Sequence, residues 1–160
     1  MLTLSEMLFR LVVAVVLGAL IGLERESIGK EAGIRTDIMV AAGSALFTLA
    51  AVTVPYLIAL SPQNLAEILA RNSGFLAIAA NVVVGIGFLG AGIIVKQGTH
   101  VRSLTTAATV WFVAAIGMLC GFGLVMFAVL SAVILTGLLF ILRGVDIDRI
   151  FKHPRGTSGE

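Results

Sequence analysis

Charged residues are scarce in this chain. Asp, Glu, Lys and Arg make up 12% of its 160 residues, hydrophobic residues make up 59%, and the mean hydropathy is +1.09. Soluble globular domains carry roughly twice that charged fraction, about 25%. So few polar residues also leave no room for a second domain that folds in water. The composition therefore predicts an integral membrane protein.

Cysteine and histidine are scarcer still. The single cysteine, Cys120, excludes a disulfide within the chain, and His100 and His153 are too far apart in sequence to suggest a zinc site. No segment clusters three acids, and no nucleophile has a nearby base, so we expect neither a cofactor nor enzymatic activity. Magnesium often binds through only one or two carboxylates, so ion binding is neither indicated nor excluded.

Five apolar stretches are long enough to cross ~30 Å of hydrocarbon. We divide the last two at Gly117, Gly121 and Gly123, because one unbroken helix would greatly exceed the bilayer thickness. The loop between the second and third stretches has Leu65, Ile68 and Leu69 at helical spacing, which predicts a short interfacial helix. The five stretches are residues 4–23, 38–60, 75–95, 104–119 and 122–142.

The predicted fold class is thus an all-α integral membrane protein, a bundle of five transmembrane helices over residues 1–142 followed by a short basic tail over 143–160. The loop charges predict its orientation, because Lys and Arg concentrate on the cytoplasmic side. With five spans, only Arg10 and Arg71 of the 11 Lys and Arg fall on one side. We therefore expect the N-terminus outside and the C-terminus in the cytoplasm.

The third stretch contains four glycines within the run NVVVGIGFLGAGIIVK, residues 81–96. In lipid, glycines allow helices to approach closely. At ~100° per residue they fall on two faces, which predicts a central helix held from both sides by its own chain or by a second copy. The same run spells G-x-G-x-x-G, but without a preceding strand this is not a dinucleotide site. One face holds Asn81, Gly85, Phe88, Gly92 and Lys96, and the other holds Gly87, Gly90, Ala91 and Ile94.

Other small and polar residues recur at helical spacing. Gly18 and Gly22 form a G-x-x-x-G stripe that favours close packing and continues to Glu26. One interpretation of the polar stripes is that hydroxyls bond back to their own helices while the charges anchor the membrane surface. The other is that the stripes face each other and Asn81 across a polar interior, which would pair Asp37 with Arg102. The two stripes are Asp37, Ser44 and Thr48 in the second span, and Arg102, Thr105, Thr106 and Thr109 in the fourth.

Four motifs in order give the chain a specific resemblance. They are GLERE from Gly22 to Glu26, AGIRTD from Ala32 to Asp37, GIGFLGAG from Gly85 to Gly92, and VRSLTTAAT from Val101 to Thr109. This pattern resembles the MgtC/SapB family of bacterial membrane proteins over about the first 120 residues. Asp37 stands where the family usually has His or Asn, and Asn81 where Gln is common.

The resemblance implies a multi-pass protein of the bacterial inner membrane in a short form without the family's soluble C-terminal domain. It also implies a role in growth at low magnesium, and in some pathogens in virulence through restraint of the rotary ATP synthase. Expected partners are the bilayer, a second copy as a homo-oligomer with a dimer favoured, and another membrane protein, but not nucleic acid. The alternative function is a cation (Mg²⁺) transporter or channel working as an oligomer. The motif residues carried over are Glu24, Arg25, Glu26, Arg35, Thr36, Asn81, Arg102, Thr105 and Thr106.

Overall fold

The computed structural model describes residues 2–59, 61–70 and 74–143, and within them the protein is almost entirely helical. Four helices are long and apolar enough to cross a membrane, which supports a multi-pass membrane protein. A fifth helix contributes a shorter apolar segment, Ala77–Ile93, so the prediction of five spans stays a prediction. In chain order the elements are α1 (Leu4–Ser27), α2 (Ile34–Ile58), α3 (Pro62–Ala70), α4 (Gly74–Ile93), β1 (Val95–Gln97), β2 (His100–Arg102), α5 (Leu104–Phe122) and α6 (Val125–Arg143).

The first helix begins at a capping box. The Glu6 main-chain N–H donates to Thr3 Oγ1 over 3.3 Å, and the Thr3 main-chain N–H donates to the Glu6 carboxylate over 2.8 Å. One turn further on, Arg10 donates from Nη1 to the Gly121 carbonyl over 3.0 Å. The start of α1 therefore lies beside the end of α5.

The centre of the bundle is α2, which packs against α1, α4 and α5. Glycines allow two of these contacts. A Cβ atom added at Gly22 of α1 would lie 2.5 Å from the Ile34 Cα atom, and one added at Gly121 of α5 would lie 2.6 Å from the Thr48 Cβ atom. The G-x-x-x-G stripe of α1 is thus used for packing within the chain. Within the chain α4 contacts α2 and α5 and leaves Gly85, Gly87 and Gly92 open. Its own chain therefore does not hold it from both sides, and a second copy as its other neighbour stays a prediction.

The boundary between α5 and α6 lies at the last of the three glycines proposed for it. Gly123 follows the end of α5 with a φ of 88°, in the left-handed region where glycine is favoured. Gly117 and Gly121 lie inside α5 and are buried. They do not break the helix, because each packs against the α2 backbone.

A β-hairpin between α4 and α5 was absent from the sequence expectations. β1 pairs with β2 in antiparallel register, with Val95 opposite Arg102 and Gln97 opposite His100. The two-residue turn begins at Gly98, whose φ is 61°. Glycine in the first position of a two-residue loop is a hairpin signal. The strands are only three residues long, too short for an alternating pattern to emerge from the sequence.

Two further predictions concern the loops and the tail. The short helix expected after the second span is present as α3, Pro62–Ala70. The basic tail expected over residues 143–160 lies outside the described residues, apart from Arg143 at the end of α6.

Candidate functional site

Three of the four sequence motifs meet at one end of the bundle. GLERE forms the last turns of α1, AGIRTD opens α2, and VRSLTTAAT spans β2 and the start of α5. Hydrogen bonds join these segments across up to 75 positions of sequence. The site is therefore a polar layer built from the ends of three helices, and each of its acids has a different role.

Glu26 stabilises the start of α2. Its carboxylate accepts a hydrogen bond from the Ile34 main-chain N–H over 3.0 Å, at a helix terminus whose capping residue, Gly33, has no side chain to do so. A Cβ atom at Gly33 would lie 2.8 Å from the Glu26 carboxylate. The sequence linked Glu26 to the glycine stripe of α1, whereas the structure makes it a capping residue for the next helix.

Glu31 connects the α1–α2 loop to the start of α5. Its carboxylate accepts hydrogen bonds from Ser103 Oγ over 2.8 Å and from Thr106 Oγ1 over 3.0 Å. Ser103 has a φ of 66°, the only positive value among the described non-glycine residues. That backbone conformation is uncommon for serine. Sequence analysis missed both residues, and the available signal was that Glu31 immediately precedes one motif and Ser103 lies inside another.

This connection gives a prediction for pH. Hydrogen bonds from its own main-chain N–H and from the Ser103 and Thr106 hydroxyls hold the pKa of Glu31 below its usual 4.5. A lowered folded-state pKa contributes stability above the unfolded-state value that is lost as pH falls through the folded-state value. The Glu31→Gln variant should therefore have a lower melting temperature than wild type at neutral pH, and this difference in melting temperature should shrink progressively below about pH 4.5.

Lys30→Gln, a charge change in the same loop, is the control for that measurement. Lys30→Gln removes no carboxylate, so its difference from wild type in thermal unfolding should change little with pH. A Glu31→Gln difference that is equally constant down to pH 3 would contradict a role for the ionised carboxylate.

A second group of charges is buried beside this layer. Arg25 is 4% exposed and forms an ion pair through Nε with the Glu24 carboxylate. Asp37, at 0% exposure, has no hydrogen-bond partner for either carboxylate oxygen among the described residues, and neither has Glu24 Oε1. The Arg25 charge acts on Asp37 electrostatically. Arg25 thus pairs directly with Glu24 and acts on Asp37 only through its charge, without a hydrogen bond.

The predicted pair of Asp37 with Arg102 is wrong. Arg102 lies on β2, not on the fourth span, and is exposed, where its charge acts on Glu31. The fourth-span stripe is divided in the same way, because Thr106 and Thr109 are buried whereas Thr105 is exposed. The prediction that Arg102 shares a helix face with Thr105, Thr106 and Thr109 fails, because the hairpin changes the chain direction before α5 begins.

The hydroxyl stripes mostly follow the first of the two interpretations. Thr48 Oγ1 donates to the Ser44 carbonyl over 2.8 Å, and Thr109 Oγ1 donates to the Thr105 carbonyl over 2.9 Å. Both are bonds within a helix. Among the described threonines of the two stripes, Thr106 joins two segments, through Glu31. This contact between segments lies at one end of the bundle.

The outer surface of the layer carries a pocket of about 350 Å³ between α1, α5 and α6. Its polar side includes Arg25, Lys30 and Thr105, and its apolar side includes Phe112 and Leu139. Two other motif residues lie elsewhere, with Arg35 exposed and Thr36 half-buried at the start of α2. The pocket is therefore the place where the first and fourth motifs reach the surface together.

Asn81 lies away from this layer. It is exposed and lines an apolar groove of about 630 Å³ between α2 and α4, together with Ser44, Gly43 and Gly85. Among Gly85, Gly87, Gly90 and Gly92 of α4, only Gly90 has a close neighbour, since a Cβ atom there would lie 3.8 Å from the Ala107 Cβ atom. Cβ atoms at Gly85, Gly87 and Gly92 would meet no described atom within 4 Å.

Residues 2–59, 61–70 and 74–143 bring together no group of three His, Cys, Asp or Glu side chains able to hold a metal ion. The free Cys120 is buried.

Comparison with known proteins identifies related sequences. The model of the MgtC family matches residues 11–147. The chain is 40% identical over 153 residues to Protein MgtC of Salmonella typhimurium, covering 96% of this chain and 59% of that protein. It is 41% identical over 130 residues to Protein MgtC of Brucella suis biovar 1, covering 81% of this chain and 48% of that protein. The chain thus spans about half to three fifths of the length of these relatives, and no solved structure matches it.

Proposed function

Because the chain belongs to the MgtC family, we propose that it acts without enzymatic chemistry in adaptation to low magnesium, by binding and modulating another inner-membrane component such as the ATP synthase. A contribution to virulence would follow where the host cell limits magnesium. The matched relatives are longer proteins, so these roles are proposed for this chain and are tested on it directly.

The observation that carries this proposal is the pocket between α1, α5 and α6. It combines exposed polar groups, Lys30 and Thr105, with apolar walls that include Phe112 and Leu139. A transmembrane helix of a partner has matching chemistry where it leaves the bilayer, with apolar side chains followed by polar ones. Glu24 and Arg25, which form an ion pair with each other, also line this pocket.

In the proposed topology this pocket lies on the cytoplasmic side. Five spans with the N-terminus outside would place there Lys30, Arg35, Lys96 and Arg102, in agreement with the positive-inside rule. These residues border the same end of the bundle as the polar layer, which supports placing the pocket on the cytoplasmic side.

Thr105→Ala tests the proposal with little risk to folding, because Thr105 is exposed. In a strain lacking the chromosomal copy, we expect this variant to reach wild-type abundance in the membrane, to restore growth at low magnesium poorly, and to recover less ATP synthase after crosslinking. Thr99→Ala, an exposed hydroxyl at the hairpin turn, is the matched control and should behave as wild type. Normal growth and normal recovery with Thr105→Ala would overturn the assignment of this pocket.

Cation transport is the second candidate, and one observation favours it. Asp37 is fully buried without a hydrogen-bond partner among the described residues, and a buried acid in a membrane protein often handles ions or protons. Proteoliposomes containing only this protein should then show cation flux that Asp37→Asn abolishes. Absence of flux in the wild type excludes transport and leaves the partner-binding function intact.

A further inference from the structure

One face of α4 has no partner among the residues that the structure describes. Asn81, Gly85, Phe88 and Gly92 recur at intervals of four, three and four residues, so at ~100° per residue they lie within about 60° of one another. We call these four residues the α4 seam. Phe88 is 86% exposed, and Cβ atoms at Gly85 and Gly92 would meet no described atom within 4 Å. The seam runs along most of the helix, and Asn81 and Gly85 lie at the edge of the groove between α2 and α4.

The seam contains a polar group that needs hydrogen-bond partners, which lipid tails do not provide. Asn81 is exposed, its side chain makes no hydrogen bond in the described part of the chain, and it lies seven residues into a helix of 20. An amide facing lipid tails lacks hydrogen-bond partners, so polar side chains in spans normally face protein. Ser44, which is 3% exposed, adds a second polar side chain to the lining of the adjacent groove.

The shape of the seam is complementary to itself. Phe88 projects between two glycines, with Gly85 three residues before it and Gly92 four residues after it. When two such helices pack in parallel, the side chain from one can occupy the space above the glycines of the other, as knobs fit into holes. An Asn amide carries both a donor and an acceptor, so the same residue at the same depth satisfies it.

We propose that the α4 seam binds a second copy of this chain, forming a parallel two-fold dimer in which the two Asn81 amides hydrogen-bond to each other. All copies in a membrane share one orientation, and a two-fold axis along the membrane normal brings identical residues to identical depths. A lipid chain would fill the glycine surface without satisfying the amide. A different protein would need its own polar group at this depth. The inference goes beyond the proposed function, which does not require a dimer, and names a contact surface for the homo-oligomer that the sequence predicts.

Disulfide crosslinking in native membranes tests the surface. In a Cys120→Ala background, single Asn81→Cys, Gly85→Cys and Phe88→Cys variants should form crosslinked dimers on mild oxidation. The controls are Val16→Cys on α1 and Ile134→Cys on α6, which replace lipid-facing residues of 58% and 67% exposure. They should give only the background from random collision. Crosslinking at the seam no greater than at these controls would overturn the proposal.

Affinity measurements test the amide. Interhelical polar contacts in membranes contribute little individually, so we expect Asn81→Ala to raise the dimer dissociation constant in lipid vesicles roughly three- to thirty-fold. Asn81→Gln retains the amide and should retain the dimer. An unchanged dimer dissociation constant in the Asn81→Ala variant would refute the contact between the two amides. Growth at low magnesium is scored separately in the same variants, so loss of the dimer with normal growth would leave the proposed function standing.

Discussion

Replacing Arg25 by Gln should lower the free energy of unfolding by about 3 to 5 kcal/mol, because the change leaves the buried acids Glu24 and Asp37 without their cation. Breaking a buried ion pair from one side is much more costly than removing an exposed charge, which changes stability by about 0 to 1 kcal/mol. Equilibrium unfolding in mixed micelles measures the difference. Lys30→Gln, an exposed cation five residues away, is the control and should stay close to wild type.

A double-mutant cycle identifies the partner of Asp37. Asp37→Asn should offset part of the effect of Arg25→Gln, because it removes one of the two uncompensated charges. Asp37→Asn and Arg102→Gln should be additive, since Arg102 is exposed on the hairpin and its charge acts on Glu31. Coupling of Asp37 to Arg102 and additivity with Arg25 would contradict the arrangement described here.

Gly117→Ala should cost about 1 to 3 kcal/mol or more by forcing α5 away from α2. A Cβ atom at this position would overlap the main-chain carbonyl group of Ala41, which cannot rotate away as a side chain can. The two backbones must therefore separate, which weakens the central contact of the bundle. Melting temperature in detergent and retention of the folded species on size-exclusion chromatography both report the change.

Gly137→Ala on α6 is the matched control, because a Cβ atom there would meet no described atom within 4 Å. It should be neutral or slightly stabilising, since alanine favours helix more than glycine does. Equal stability of the two variants would show that α2 and α5 are further apart than described.

Much of the fold followed from the sequence because lipid restricts the choices. A membrane span must satisfy its own backbone hydrogen bonds, so apolar length predicts helices with little ambiguity. The predicted starts at Leu4 and Leu104 agree with α1 and α5, and of the three glycines proposed for the last boundary, Gly123 is the left-handed cap. The hairpin after α4 was missed, because strands of three residues are too short to show a periodic pattern. Gly98 by itself indicates a turn, but it does not indicate that strands flank the turn.

The site was only partly predictable. Most of the residues in the polar layer were identified from motif composition, but their pairing was not. Asp37 was assigned to Arg102 and is acted on by Arg25, and the bond from Ser103 and Thr106 to Glu31 was not anticipated. Helical spacing predicts which residues share a face of one helix, but not which helix that face meets.

By itself, the sequence determined that this is a helical membrane protein, which segments are helical, and where glycines permit close approach. Only the tertiary structure decided how those glycines are used. The glycines of α1 and α5 lie against α2, whereas Gly85 and Gly92 of α4 remain open beside an unpaired amide. The reason is physical: a glycine permits another backbone to approach, and whether one arrives depends on how several helices share a limited interior. Buried charges also depend on the tertiary structure. A buried carboxylate needs a cation nearby, and the position of the carboxylate in the chain does not identify that cation.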